Sequence, residues 1–281
     1  MININTKEVI GIDLGGTSIK LGRINDGKIS ATAAQPTPKT TNAEEVTQCI
    51  IDTIKQVIQP TTEAIGIGIP SVVDIEKGIV YDVMNIPAWK EVPIKDILEE
   101  EFKVPVYVNN DANCFAIGEK IFGKGIDYQN FVGLTLGTGL GAGIIQKGKL
   151  LEDANCGSGE FCIVPYLESD YEHYCSGMFF QMLKEDGQDV YQRAEKGEER
   201  ALEIFHELGF HMANLVKLVV STIDPQMIVL GGSVAQSFSF FQEAMFKELK
   251  NYEYANSIKK LKIEVSDTEN SAILGAAALC Y

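Results

Sequence analysis

The segment DLGGTSIK, from Asp13 to Lys20, combines a carboxylate with a glycine-rich turn. Gly15 and Gly16 allow the backbone to turn tightly and to approach a ligand closely, and Thr17 adds a hydroxyl group. Such a turn presents backbone N–H groups to phosphate oxygens, and the Asp13 carboxylate is able to hold Mg²⁺ through water. Taken alone, the segment is equally compatible with an ordinary glycine-rich hairpin.

A second glycine-rich segment repeats this design. Residues 9–29 and 131–150 each read as a short apolar strand, a glycine turn, a second apolar strand and a polar Gly-Lys turn, and a one-residue gap brings Gly27 onto Gly148. The second copy, LGTGLGAG (136–143), holds four glycines in eight residues, more than a structural hairpin needs, because each weakens a strand. We expect Gly137, Thr138 and Gly139 to serve a polyphosphate, so that Gly139→Val raises KM for the nucleotide more than KM for the second substrate. Neither copy is a Walker or Rossmann motif.

A third polar cluster, NNDAN, lies at residues 109–113, after the apolar strand VYV. Asp111 is a candidate general base that takes the proton from a substrate hydroxyl as it attacks phosphorus. Asn110 can donate and accept hydrogen bonds with neighbouring hydroxyls. The alternative is a helix N-cap before CFAIGEKIF, a position that Asn and Asp favour.

The remaining pattern alternates strands and helices, which indicates an α/β fold with mixed sheets. We predict helices over residues 43–58, 93–102, 178–186, 199–224 and 272–280, and strands over residues 64–70, 104–111, 226–232 and 261–267. Since each repeat opens one lobe, we expect a small lobe of residues 1–113 with the C-terminal helix 268–281, and a larger lobe of residues 114–267, around a central cleft. Trp89 is predicted either in the core or beneath a substrate, and His211 is expected to be a structural or surface group.

The composition excludes several classes of protein. A formal charge of −15 over 281 residues disfavours nucleic-acid and anionic-membrane partners. The chain has no run of about 18 apolar residues, and its N-terminus lacks the features of a signal peptide, so we expect a cytoplasmic protein. None of the six cysteines forms a Cys-x-x-Cys pair, and we expect free, mostly buried thiols.

Taken together, these motifs resemble the ROK family of sugar kinases and repressors, within the actin, hexokinase and Hsp70 ATPase superfamily. The resemblance covers essentially the full chain. It rests on DLGGTSIK, GIGIPSVVD (66–74), NIPAW (85–89), NNDAN (109–113), LGTGLGAGI (136–144), GSGEF (157–161), YCSG (174–177) and DPQMIVLGGSV (224–234). It implies a two-lobed actin-like ATPase fold, of the ribonuclease H-like type, that uses ATP and Mg²⁺ and forms a homodimer.

The resemblance also implies a role for each matching residue. Asp111 corresponds to the catalytic base, and Asp13 to the acidic residue near Mg²⁺. The implied nucleotide-binding residues are Gly15, Gly16, Thr17, Gly137, Thr138, Gly139, Gly231 and Gly232. The implied sugar-binding residues are Asn85, Asn110, Asp111, Glu160 and Glu172, and we add Ser71, which stands where the family usually has glycine.

One segment departs from the family pattern. Members usually carry GEIGH followed by a CxCGxxGCxE zinc cluster, whereas this chain reads GEFCIVPYLESDYEHYCSG. Ile163 replaces the family histidine and the cysteine cluster is deleted, so we expect no zinc. A replacement metal site would have to be built from Cys156, Cys162, Cys175 and His173, whose spacing matches no familiar zinc motif.

These features favour an ATP-dependent hexose kinase of the glucokinase type. The loss of the histidine leaves an N-acetylhexosamine or fructose kinase as alternatives, and a catalytically silent sugar-binding protein as another. A repressor of this family would need a helix-turn-helix domain before the glycine motif, where this sequence has 12 residues before Asp13.

Overall fold

The computed structural model describes residues 7–83, 85–153 and 156–281. The strands described are β1 (Glu8–Leu14), β2 (Ser18–Asn25), β3 (Lys28–Pro36), β4 (Thr62–Ile69), β5 (Val72–Asp74), β6 (Ile79–Tyr81), β7 (Glu91–Val92), β8 (Val106–Asn110), β9 (Phe131–Leu136), β10 (Leu140–Gln146), β11 (Lys149–Leu150), β12 (Pro165–Tyr166), β13 (Ser169–Asp170), β14 (Met227–Gly231) and β15 (Lys262–Val265). The helices described are α1 (Ala43–Ile54), α2 (Ile94–Phe102), α3 (Asp111–Phe122), α4 (Tyr171–Cys175), α5 (Gly177–Met182), α6 (Gly187–Glu195), α7 (Glu199–Ile223), α8 (Phe238–Leu249), α9 (Ala255–Lys260) and α10 (Ser271–Ala278).

The chain folds as two compact units. The first consists of the chain up to Ile126, Lys149–Ser158 and Thr268–Tyr281, and the second of Asp127–Gly148 and Gly159–Asp267. The first unit extends past the boundary expected at residue 113 because α3 packs against α10. A Cβ atom on Gly118 would lie 2.8 Å from the Cα atom of Gly275, so the two helix backbones approach closely at these glycines.

The described residues form two five-stranded sheets that share one topology. Their strand orders are β3-β2-β1-β4-β8 and β11-β10-β9-β14-β15. In the first sheet, β1, β4 and β8 run parallel and β2 and β3 are antiparallel additions. In the second, β9, β14 and β15 run parallel and β10 is antiparallel to β9. The predicted α/β fold with mixed sheets is confirmed, and the internal repeat reflects two copies of one sheet.

The one-residue gap between the two repeats lies in the hairpin turn. In the first hairpin Leu14 pairs with Ile19, whereas in the second hairpin Leu136 pairs with Leu140. The first turn therefore contains one residue more than the second, and Gly15 and Gly137 occupy the same position, directly after the first strand.

Most predicted helices are present, and local signals explain where they begin and end. Asn42 caps α1 by accepting the N–H of Glu44 at 2.9 Å, and the apolar face of this helix is buried. The helix predicted over residues 178–186 stops at Met182 instead. The reason is that Asp186 caps the next helix, α6, by accepting the N–H of Asp189 at 2.9 Å.

Trp89 is a core residue of the first unit. Its side chain is fully buried, and its indole N–H donates to the carbonyl oxygen of Ala43 at 3.4 Å. All six cysteines lie in the described part of the chain, and none of them forms a disulfide. Within the described part of the chain, no helix has both the length and the apolar character needed to cross a membrane.

Candidate active site

In the glycine turn of the first unit, two backbone carbonyl groups accept hydrogen bonds from one threonine. The N–H of Gly15 donates to the carbonyl of Ser18 at 2.9 Å and closes the turn. Thr37, directly after β3, donates its hydroxyl to the carbonyl of Gly15 at 2.7 Å and its N–H to the carbonyl of Thr17 at 3.1 Å.

The glycine turn of the second unit is arranged in the same way with different residues. The N–H of Gly137 donates to the carbonyl of Gly139 at 3.0 Å. The N–H of Gly177 donates to the carbonyl of Gly137 at 2.8 Å, and the hydroxyl of Ser176 donates to the carbonyl of Thr138 at 3.2 Å.

Both turns therefore keep backbone N–H groups available for a ligand. Among the described residues, the N–H groups of Gly16, Thr17, Thr138 and Gly139 find no hydrogen-bond acceptor. With the neighbouring carbonyls occupied, the electropositive side of each turn is the side left open. An arrangement of this kind suits phosphate oxygens without any cationic side chain.

In each turn, one of the residues implied to bind sugar lies directly on a glycine. A Cβ atom on Gly16 would lie 2.5 Å from the Cβ atom of Asn85. A Cβ atom on Gly139 would overlap the carboxylate of Glu172, which accepts the N–H of Leu140 at 3.1 Å. Gly139 is thus close to Glu172, which is expected to bind the sugar. The position of Gly139 in a turn expected to bind phosphate does not by itself predict this contact.

At the end of β8 the structure shows the helix cap that NNDAN suggested, and Asn110 supplies it. The side-chain oxygen of Asn110 caps α3 by accepting the N–H groups of Ala112 at 2.9 Å and Asn113 at 3.4 Å. Its amide nitrogen donates to the carbonyl of Ser71 at 3.3 Å. Asp111 accepts the N–H of Ala112 at 2.9 Å and is half-buried. Because Asn110 serves as the cap, Asp111 is not needed for that purpose.

Ser71 holds the segment that follows β4 in place. Its hydroxyl donates to the carbonyl of Tyr81, which links the end of β4 to the three-stranded sheet of β5, β6 and β7. An open cavity of about 470 Å³ lies beside this sheet, with Val72, Ile75 and Tyr81 in its lining. Ser71 therefore connects this sheet, through its hydroxyl, with Asn110, through its carbonyl.

Asn109 is a buried hub that sequence reasoning treated only as one of four polar residues. Its side-chain oxygen accepts the N–H of Asn110 at 2.8 Å, the amide of Asn113 at 3.0 Å and the thiol of Cys156 at 3.5 Å. Asn109 is 4% exposed. The hub ties the strand end, the start of α3 and the segment 149–158 together.

Asp13 and Asp111 both influence the same buried thiol. Burial, followed by the charges of Asp111 and Asp13, raises the pKa of Cys114 well above its usual range. Burial also raises the pKa of Asp13, and the ammonium group of Lys20, its cross-strand neighbour, opposes that rise. The structure thus brings the two carboxylates to the C-terminal ends of parallel strands in one sheet, where ligands of α/β proteins usually bind.

Glu160 and Glu172 lie near each other in the second unit, on either side of the segment that departs from the family pattern. The Cys162 thiol donates to Glu160 at 3.1 Å, and burial, then Glu160 and Glu172, raise the pKa of this thiol to about 12. Ile163 is 70% exposed, so its side chain is not part of the core.

The candidates for a replacement metal site have other interactions. Cys175 is fully buried, Cys156 contacts Asn109, and His173 lies 2.7 Å from the carboxylate of Asp170. Within the described residues, no three His, Cys, Asp or Glu side chains are arranged to hold a metal ion.

Gly231 and Gly232 lie at the end of β14, beside the second glycine turn. Gly231 pairs with Thr135 of β9. Gly232 has a φ of 89°, and a Cβ atom there would overlap the carbonyl oxygen of Leu136. Glycine is therefore required at position 232 both by its backbone conformation and by close packing.

Comparison with known proteins places this architecture. A solved structure of a ROK family glucokinase from Streptomyces griseus, in complex with glucose and AMPPNP, superimposes with a TM-score of 0.82 at 26% identity, over 97% of this chain and 98% of that one. A glucokinase of Thermotoga maritima is 28% identical over 97% of this chain and 96% of the relative. An N-acetyl-D-glucosamine kinase of Vibrio parahaemolyticus is 28% identical over 96% of this chain and 98% of the relative.

The fold is therefore the actin-like ATPase fold of the ROK glucokinases. The model of the ROK family matches residues 9–281. This chain belongs to the ROK family.

Proposed function

We propose that this protein is an ATP-dependent hexose kinase of the glucokinase type. The observation that carries the proposal is the pair of equivalent glycine turns, each with occupied carbonyls and available N–H groups. A single turn of this kind is compatible with an ordinary hairpin. Two copies at the same position of two duplicated sheets match the need to bind a polyphosphate.

In this proposal Asp111 acts as the general base. Its carboxylate takes the proton from a sugar hydroxyl as the hydroxyl oxygen attacks phosphorus. The N–H of Ala112, 2.9 Å from the Asp111 carboxylate, holds that carboxylate in place, and Asn109 fixes the strand end that carries it. Most of the rate enhancement in phosphoryl transfer comes from positioning and charge stabilisation, with the base adding to these.

The glycine turns would hold the nucleotide. Gly15 to Thr17 and Gly137 to Gly139 would offer N–H groups to phosphate oxygens, and Gly231 with Gly232 would lie against the adenosine. Asp13 is the carboxylate suited to Mg²⁺ through water, an ion that neutralises phosphate charge when bound.

The sugar would be held by amides and carboxylates. In the first unit, the candidates are Asn110, Asn85 and Ser71, which offer amide and hydroxyl groups. In the second unit, Glu160 and Glu172 offer acceptors that suit the hydroxyl groups of a sugar ring.

An N-acetylhexosamine is the second candidate substrate. Ile163 replaces the histidine of the family pattern, and its aliphatic side chain cannot hydrogen-bond a hydroxyl group. A hydroxyl that becomes buried without a partner costs about 1–3 kcal/mol, and an acetamido methyl group would avoid that cost. The Vibrio parahaemolyticus relative is named for such a substrate.

A coupled assay for ADP tests the proposal. The purified protein is assayed with Mg²⁺ and ATP against glucose, mannose, fructose, N-acetylglucosamine and N-acetylmannosamine. We expect glucose to give the highest kcat/KM. A tenfold preference for an N-acetyl sugar would replace the glucokinase assignment and keep the kinase, and sugar-independent background with every sugar would support a silent sugar-binding protein.

A further inference from the structure

An aromatic cluster holds the segment between Glu160 and Glu172. The ring of Tyr166, on the β12–β13 hairpin, stacks on Tyr171 with centroids 4.3 Å apart and planes 15° apart. Tyr174 meets Tyr166 edge-on at 5.3 Å, and its own ring lies 4.8 Å from His211 of α7. We call Tyr166, Tyr171, Tyr174 and His211 the aromatic brace.

A half-buried hydrogen bond joins the hairpin to α7. The Tyr166 hydroxyl lies 3.1 Å from Nδ1 of His211. Burial raises the pKa of Tyr166 to about 12, so Tyr166 keeps its proton. Burial also lowers the pKa of His211, which keeps the imidazole neutral near pH 7. A protonated phenol and a neutral imidazole therefore share this hydrogen bond.

The brace immobilises a helix that cannot hold its own position. α4 has five residues, too few to be stable without tertiary packing. Two of the four residues of the aromatic brace, Tyr171 and Tyr174, belong to this helix. Its orientation therefore depends on tertiary contacts, which include the ring stack and the bond between Tyr166 and His211.

α4 carries Glu172, which is proposed to bind the sugar and which also contacts the glycine turn proposed to bind phosphate. Glu172 accepts the N–H of Leu140 at 3.1 Å and lies against Gly139. Ser176, directly after α4, donates to the carbonyl of Glu172 at 2.6 Å and to that of Thr138 at 3.2 Å. A shift of α4 would move the Glu172 carboxylate away from the turn.

We propose that the aromatic brace is a positioning device that orients Glu172 for the sugar. This role rests on the proposed kinase function. Tyr166 is half-buried, so it belongs to the surface of the unit and acts on α4 by stacking.

A double-mutant cycle tests the role of the brace. The variants are Tyr166→Leu, Glu172→Gln and the double variant, with Tyr254→Leu as the matched control. Tyr254 lies in the same unit, is 65% exposed and packs on Tyr252. Each variant is checked by thermal denaturation and assayed well below its Tm, with KM measured for both the sugar and ATP.

We expect Tyr166→Leu to lower kcat/KM for the sugar about tenfold or more. In the Glu172→Gln background the same change should have less than a threefold effect, because residues acting through one another are not additive. Tyr166→Phe, which keeps the ring stack, should retain most of the activity that Tyr166→Leu loses. The control variant Tyr254→Leu should have the same kcat/KM as the wild type.

Additive effects in the cycle, or a fall in Tm with unchanged kinetics, would overturn the positioning role and leave the kinase intact. No turnover of any sugar by the wild-type protein would instead overturn the proposed function, and this role with it. If Tyr166→Leu does not fold, Tyr174→Leu, which removes the edge-on ring, is taken through the same cycle with the same criteria.

Discussion

Gly137 and Gly139 of the second turn should respond differently to the same substitution. A Cβ atom on Gly137 meets no other atom within 4 Å, whereas one on Gly139 would overlap the Glu172 carboxylate. We therefore expect Gly137→Ala to raise mainly KM for ATP, because its Cβ stands where phosphate would approach. Gly139→Ala should impair use of the sugar as well, because it must displace Glu172.

The size of the second effect follows from the bond that is lost. Glu172 accepts the N–H of Leu140 at 3.1 Å, and a hydrogen bond to a charged group contributes about 1.5–3 kcal/mol. A displaced carboxylate loses this bond and its orientation together. Since about 1.4 kcal/mol corresponds to a tenfold change, kcat/KM for the sugar should fall roughly ten- to hundredfold.

Steady-state kinetics with each substrate varied at saturation of the other separate the two effects. Gly137→Ala is the matched control, because it adds the same methyl group to the same turn. An increase in KM for ATP alone in Gly139→Ala would refute this reasoning and restore the expectation that Gly139 serves only the nucleotide. Equal effects of both variants on the sugar would mean that Glu172 does not contact it.

Four further results are expected. Asp111→Asn should keep the fold and sugar binding but lower kcat about 100-fold or more; a near-normal kcat would remove Asp111 from the role of base. Asn109→Leu should lower the free energy of unfolding in urea by about 1–3 kcal/mol, because it leaves buried donors unpaired, whereas Asn109→Asp, which keeps an acceptor, should lose less; equal losses would argue against the hub. His211 faces Glu207 and Tyr166, and burial lowers its pKa in the folded state, so its contribution to stability is present above its unfolded pKa of about 6.5 and is lost as pH falls below it. The Tm should thus decline less between pH 7 and pH 5 in His211→Gln than in the wild type, and parallel curves would contradict this. Dialysis against a chelator should leave Tm unchanged once Mg²⁺ is restored, and elemental analysis that found about one zinc ion per chain would contradict it.

Much of the fold was predictable because it follows from local patterns. Apolar alternation and glycine turns predict both hairpins, and the shared design of residues 9–29 and 131–150 predicts the duplicated sheets. The strand that ends in Asn110 and Asp111 was likewise visible, because polar side chains at the end of an apolar strand suit an edge better than a core. Helix periodicity predicted α1 and α7 to within a few residues.

Only tertiary packing determined what surrounds those residues. Asn109 is 47 positions from Cys156, and no local pattern pairs a strand end with a distant thiol. Glu172 meets Gly139 because α4 is held by rings on a hairpin and on α7. The boundary between the units differs from the predicted one because α3 and α10 pack closely at Gly118 and Gly275.

The physical reason is that some signals act between neighbours in the chain, whereas others act only between residues that folding brings together. Hydrophobic period, turn residues and caps act over a few positions, so the sequence by itself determined the two sheets, the glycine turns and the acidic strand end. The hydrogen bonds that orient Glu172 and that join Asn109 to Cys156 link residues 32 and 47 positions apart in the chain. They exist only once close packing has placed those side chains together, and the tertiary structure alone decides which of them meet.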